Sequence, residues 1–227
     1  MIAILEIWCP QGPAGSNPAA GAIILSDKMK TFRHRKPYTP FTQQYYCCVP
    51  TCIQWILYRR RLKLVDQEKI GLMMNLTVPP KDRKYFIENV KVSKRKPRAG
   101  YGTAVTRQCE NINKFFRKYK VPLKATSYYP LRGLALKDPE KFLINNFKED
   151  NDVIAVFNLG VLDIKKKKYG HAVLVSEVIK NEKTEIVVGD PWFKNPKFWK
   201  IELTKLIQGM DKKYDGVRRG FWVVTKR

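Results

Sequence analysis

Apolar residues change their spacing part-way along this chain. Up to about residue 150 they recur every three or four positions, as on one face of a helix, and beyond Asp152 they come in short β-branched runs bounded by turn residues. Cys52, Ile53, Ile56 and Leu57 predict a helix from about Cys48 to Arg61, with three arginines closing its last turn. Asp66 is a cap for a second helix through Met74, ended by Pro79 and Pro80. Val105, Cys109, Ile112 and Phe116 predict a third helix over Thr103 to Tyr119, and Asp138-Pro139 opens a fourth that runs to about Lys148. The segments "DVIAVFNL", "HAVLVSEVI", "TEIVVGD" and "GFWVVTK" read as strands, with a hairpin at Asn181-Glu182-Lys183 and a helix from Leu203 to about Met210 before the last strand. Helices first and an antiparallel sheet afterwards make an α+β single domain.

Two stretches stay outside this pattern. "MKTFRHRKPYTPFTQQYY", broken by Pro37 and Pro40, reads as an extended lead-in, and "KVSKRKPRAGYG" as a basic loop. Residues 1–28 hold Gly, Pro and Ala in abundance and few of the charges that fill the remainder. "AGSNPA" back-translates as GCA-GGT-TCG-AAT-CCT-GCA, whose ends are complementary in the manner of a tRNA T-arm. The expectation is a non-structural extension over 1–28, with Met29 the true start and residues 29–227 the folded domain.

Composition narrows the function classes. With 227 residues, 44% hydrophobic and 12% aromatic, the chain carries enough apolar matter for one core and is unlike disordered sequences. No apolar run is long enough to span a bilayer, and five cysteines without framework spacing do not suggest a disulfide-stapled module. The expected location is cytoplasmic. Lys and Arg number 44 against 20 Asp and Glu, a net charge of +24 that favours acidic partners, whether nucleic acid, anionic surfaces or acidic peptides. Exposed lysines also simply solubilise a surface.

Candidate chemistry gathers at "QQYYCCVPTCIQWIL". Pro50 lacks an N–H and belongs in the first turn of a helix, which puts Cys48 at or just before the helix start. There the unpaired N–H groups and the positive dipole end favour thiolate, the nucleophilic form. A base is scarce, because the chain holds only His34 and His171. His171 opens a strand in "YGHAVLV", and Asp190 closes the next one in "VVGDPW". If the two strands pair, the carboxylate comes near the imidazole at one end of the sheet. Gln43, upstream of the cysteine, has an amide N–H to offer a developing oxyanion.

These blocks resemble those of the papain-like cysteine peptidases that cleave double-glycine leader peptides, and of their stand-alone relatives without transporter domains. "VDQEKIGLMMNLTVP" and "RRGFWVV" are similar to that group's second helix and last strand. The resemblance implies a papain-like fold, with N-terminal helices packed on a C-terminal antiparallel sheet. It also implies a Cys48–His171–Asp190 triad with Gln43 in the oxyanion hole, and amide cleavage through a thioester acyl-enzyme. Val49 stands where the group has a glycine, and Gln43 lies one residue nearer the cysteine than its counterpart.

Duller readings stand beside this one. Cys52 and Cys109 suit apolar helix faces as small hydrophobes, and Asp190-Pro191 alone would serve to start a turn. "CCxxxC" matches no common zinc spacing, and no cofactor or metal is expected. The same triad serves an acyltransferase or transglutaminase-like enzyme, and a basic nucleic-acid-binding module without catalysis is the alternative of another class. The run Lys165–Lys168, just before His171, is placed to attract an acidic peptide or protein substrate. The oligomeric state is open.

Overall fold

In the computed structural model, which describes residues 29–97, 100–103, 107–130, 137–166, 169–192, 197–211 and 216–227, seven strands form one antiparallel sheet. They are β1 (Lys30–Arg33), β4 (Leu123–Tyr128), β5 (Asp152–Asn158), β6 (Gly170–Lys180), β7 (Glu185–Asp190), β8 (Lys197–Glu202) and β9 (Phe221–Lys226), in the order β4-β9-β5-β6-β7-β8. β1 pairs the second half of β6, through Thr31↔Ile179 and Phe32↔Val178, on the far side from β7. A separate parallel pair joins β2 (Thr77–Val78) to β3 (Lys91–Val92). The helices are α1 (Cys48–Arg59), α2 (Gln67–Met73), α3 (Gln108–Lys118), α4 (Pro139–Lys148) and α5 (Leu203–Met210). Residues 1–28, Val105, Lys167 and Lys168 lie outside the described residues.

Alternation along the strands explains why helices cover both faces of the sheet. On β5, Ile154 and Val156 join Leu174, Trp222 and Val224 beneath α1, α2 and α3. Val153, Ala155 and Phe157 join Val173, Val188 and Val223 beneath α4 and α5. α1 is the most deeply set helix, burying Cys52, Ile53, Trp55, Ile56 and Leu57 completely. Each large side chain of that kind contributes about 1.5–3 kcal/mol.

The far end of α1 is tied by charge. Arg59 and Arg60 turn onto Asp152, which is fully buried and also accepts the Tyr38 hydroxyl at 2.7 Å. A buried carboxylate is tolerable only when paired in this way. The lead-in, the end of α1 and the start of β5 are thereby fastened together, and the opposite end of α1 lies near the start of β6, inside the sheet.

Local expectations meet the structure with few corrections. Asp66 accepts from the Glu68 N–H and Asp138 from the Lys141 N–H, so both carboxylates cap the helices they were read to start. Asn181 makes the tight turn of the β6–β7 hairpin, accepting from the Lys183 N–H. The third helix begins at Gln108 and not at Thr103, because Arg107 takes a left-handed backbone (φ 59°) that cannot continue a helix. α1 ends at Arg59, and Arg61 is left-handed in turn. The basic loop contains β3, and β4 and β8 are strands with no counterpart in the sequence reading.

Candidate active site

The adjacent thiols part company at the start of α1. Cys47 is the residue before the helix, and its fully buried side chain joins Leu76, Val78, Phe86 and Val90. Burial pushes its thiol pKa well up, as it does for Cys52, and raises that of Cys109 to about 12. These three are thiols packed as small hydrophobes. Cys48, the first helical residue, is half-buried and lies close enough to His171 to act on its imidazole.

His171 is the second residue of β6, and Asp190 is the last of β7. The register Leu174↔Gly189 sets Asp190 one position further along, on the same side of the sheet as His171. His171 Nε2 lies 2.7 Å from Asp190 Oδ1, which leaves Nδ1 for the sulfur. Burial works against an imidazolium here. The hydrogen bonds to Asp190 and Cys48, with the charges behind them, outweigh it and raise the His171 pKa to about 10. Burial likewise opposes the charge on Asp190. Hydrogen bonds and the imidazole's charge win again and hold its carboxyl below the usual range.

Both carboxylate oxygens are used. Besides His171, Oδ1 accepts the Trp192 N–H at 3.0 Å, and Oδ2 accepts Trp199 Nε1 at 3.0 Å. The Trp192 ring stands edge-on to the imidazole at 5.9 Å. Trp199 comes from β8, the strand that the sequence reading did not find; the alternation of "KFWKIE" was its only local signal. Gly189 leaves room for Trp55, since a Cβ there would sit 2.5 Å from the indole.

Gln43 is buried, and its backbone N–H donates to Pro191 O at 2.9 Å. The residues on either side of it are gripped by α2. Gln67 donates to Thr42 O and accepts the Gln44 N–H, and Glu68 accepts the Gln44 amide. Glu68 also takes the N–H groups of Ile87 and Glu88. Gln67 and Glu68 lie in the stretch that resembles the group's second helix, and the fold brings them to this segment. Among the described residues no cluster of His, Cys, Asp and Glu is arranged to hold a metal. His34 is far from the site in function: it packs on Phe147 and Tyr38 beside the Asp150–Asp152 cluster. A hollow of about 540 Å³ lies at the opposite end of α1, lined by Lys36, Tyr58, Arg61 and Leu64, and contains none of the site residues.

A sulfur at a helix N-terminus, beside an imidazole that a carboxylate holds in place, is an arrangement suited to nucleophilic acyl transfer. The chain also shares its architecture with a protein from Bacillus anthracis described as a C39-like peptidase. The two superpose with a TM-score of 0.54 at 15% identity, over 87% of this chain and 98% of that one. The fold is that of the C39-like peptidases. At such identity the likeness speaks for the fold alone. No protein-family model and no curated protein matches the sequence. Among the described residues no helix is long and apolar enough to cross a membrane.

Proposed function

We infer that the protein is a papain-like cysteine peptidase, or a closely related amide hydrolase. The observation that carries this reading is the position of His171, held by Asp190 at 2.7 Å and close enough to Cys48 for the two to interact. Cys48 Sγ attacks the carbonyl of the scissile amide. The Cys48 backbone N–H and the Gln43 side chain hold the resulting oxyanion. His171 gives its proton to the departing amine, leaving a thioester on Cys48. It then takes a proton from water as the water attacks that thioester, and the acid product leaves as the thiolate re-forms. Asp190 keeps the imidazole oriented throughout, and the hydrogen bonds from the Trp192 backbone N–H and the Trp199 indole keep the carboxylate oriented in turn.

Burial supports the same division of labour. Cys47, Cys52 and Cys109 are thiols raised out of the reactive range, whereas Cys48 faces a cation. The test is a complex peptide digest incubated with the protein, with new N-termini counted by mass spectrometry. The wild type generates new termini, and Cys48→Ala and His171→Ala do not. Equal cleavage by Cys48→Ala would overturn the assignment. Adding a labelled primary amine reports transfer separately from hydrolysis, because only an acyltransferase incorporates it into the product.

A further inference from the structure

The approach to Cys48 is bordered by aromatic rings and lysines that nothing in the reaction uses. Tyr45 and Tyr46 come directly before Cys47 and Cys48. Tyr45 stacks on Tyr85 with ring centres 4.9 Å apart, and the Tyr46 ring stands 6.0 Å from that of Tyr101. On the His171 side, Tyr169 lies two residues before the imidazole, and Lys96 Nζ sits 4.9 Å over its ring. That contact brings the basic loop 91–97 to the mouth of the site. Lys84 Nζ caps Tyr85 in the same manner at 5.2 Å. Tyr85 and Tyr169 remain about half exposed, at 48% and 55%.

Charge on this border is one-sided. Lys81, Lys84, Lys94, Arg95 and Lys96 are exposed. The nearby acids are engaged: Asp82 accepts the Tyr46 hydroxyl at 2.6 Å, and Glu88 pairs with Lys69 at 3.9 Å. Exposed rings interleaved with unneutralised lysines next to a reactive centre are a binding surface for an anionic, partly apolar partner. The rings also discriminate between two such partners. A single-stranded nucleic acid needs open ring faces on which bases can stack. Here Tyr85 is stacked on Tyr45 and capped by Lys84, and Lys96 covers one face of Tyr169. The ammonium groups and ring edges on this border suit carboxylates and adjoining apolar side chains.

We propose that the surface formed by Tyr45, Tyr85, Lys84, Lys96 and Tyr169 is the substrate-recognition subsite, and that it selects acidic peptide segments carrying aromatic residues. The assignment deepens the peptidase reading and rests on it. Lys165, exposed just upstream of Tyr169, extends the same field, while Lys166 is paired with Asp163 at 3.9 Å.

The test uses a random copolymer of glutamate and tyrosine as the probe and iodoacetamide labelling of Cys48 as the readout. The copolymer shields Cys48 from alkylation in the wild type and in a control with Lys124→Glu and Lys226→Glu, which reverses charge at the distant β4–β9 edge. In Lys84→Glu with Lys96→Glu, about tenfold more copolymer or above is required for equal protection, and salt weakens protection in the wild type. Equal protection in both double variants overturns the proposal. So does protection by oligothymidine as effective as that by the copolymer, which would assign the surface to nucleic acid. Failure of the peptidase reading shows elsewhere in the same data, as a Cys48 that labels no faster than Cys109 before any copolymer is added.

Discussion

The backbone N–H of Gln43 donates to the carbonyl of Pro191 at 2.9 Å, so the segment that precedes Cys48 is fastened to the turn that follows Asp190. Two sequence blocks almost 150 residues apart thus share one strut. Gln67 and Glu68 hold its other side, through Thr42 O, the Gln44 N–H and the Gln44 amide. Replacing Gln67 with alanine frees the strut while leaving the core intact. Steady-state kinetics should show kcat falling several-fold with KM little changed. Glu68→Ala is harsher, because the amide of Gln44 and the N–H groups of Ile87 and Glu88 lose their acceptor. It should cost about 1–3 kcal/mol in urea unfolding, because three part-buried donors lose a charged acceptor.

Asp190 is the main source of the raised His171 pKa once burial has been overcome. Asp190→Asn removes the charge and keeps an acceptor oxygen for only one of the two N–H groups, those of Trp192 and Trp199, that Asp190 accepts. The imidazole pKa should then fall from about 10 towards or below its ordinary value. With only two histidines in the chain, imidazole NMR reads this directly. An unmoved His171 titration would mean that Asp190 does not govern it.

The two histidines load stability in opposite directions. Burial first, and then the charge of Arg59, lower the His34 pKa to about 4. Between its ordinary pKa of about 6.5 and 4, the unfolded chain binds a proton that the folded chain refuses, so stability present above that window is lost as pH falls through it. His171 is raised, so its contribution is full below about 6.5 and is lost as pH climbs towards 10. His34→Gln should therefore flatten the acid side of a stability–pH profile, by up to about 3 kcal/mol, and leave the alkaline side alone.

Gly189 is a steric requirement. A methyl group there would meet Trp55 at 2.5 Å and Phe198 at 3.1 Å, and the indole is fully buried with no room to withdraw. Gly189→Ala should cost about 1–3 kcal/mol and displace the neighbouring Asp190. Thermal unfolding and the His171 titration would both register it.

What could be read from the chain was local. The proline that sets Cys48 at a helix start, the aspartates that cap α2 and α4, and the Val- and Ile-rich runs of β5, β6, β7 and β9 announce themselves within a few residues. The α+β class followed from those parts, and the papain-like architecture from the resemblance that the Cys, His and Asp blocks carry. The elements that escaped are decided by tertiary pairing. β8 buries only Ile201 fully, so its composition reads as surface, and β4 is an edge strand with an exposed face. β1 was visible as an extended lead-in, but nothing in it names β6 as its partner. The supporting roles of Trp199, Gln67 and Glu68 were invisible for the same reason. Each reaches its partner through the fold and not through sequence proximity.

The most direct test of the central claim is the iodoacetamide reactivity of each cysteine at mildly acidic pH, quantified by mass spectrometry. Cys48 should label at least about tenfold faster than Cys47, Cys52 and Cys109, and His171→Ala should erase that advantage. Labelling of Cys48 at the rate of the buried cysteines, or at a rate indifferent to His171, would contradict the account.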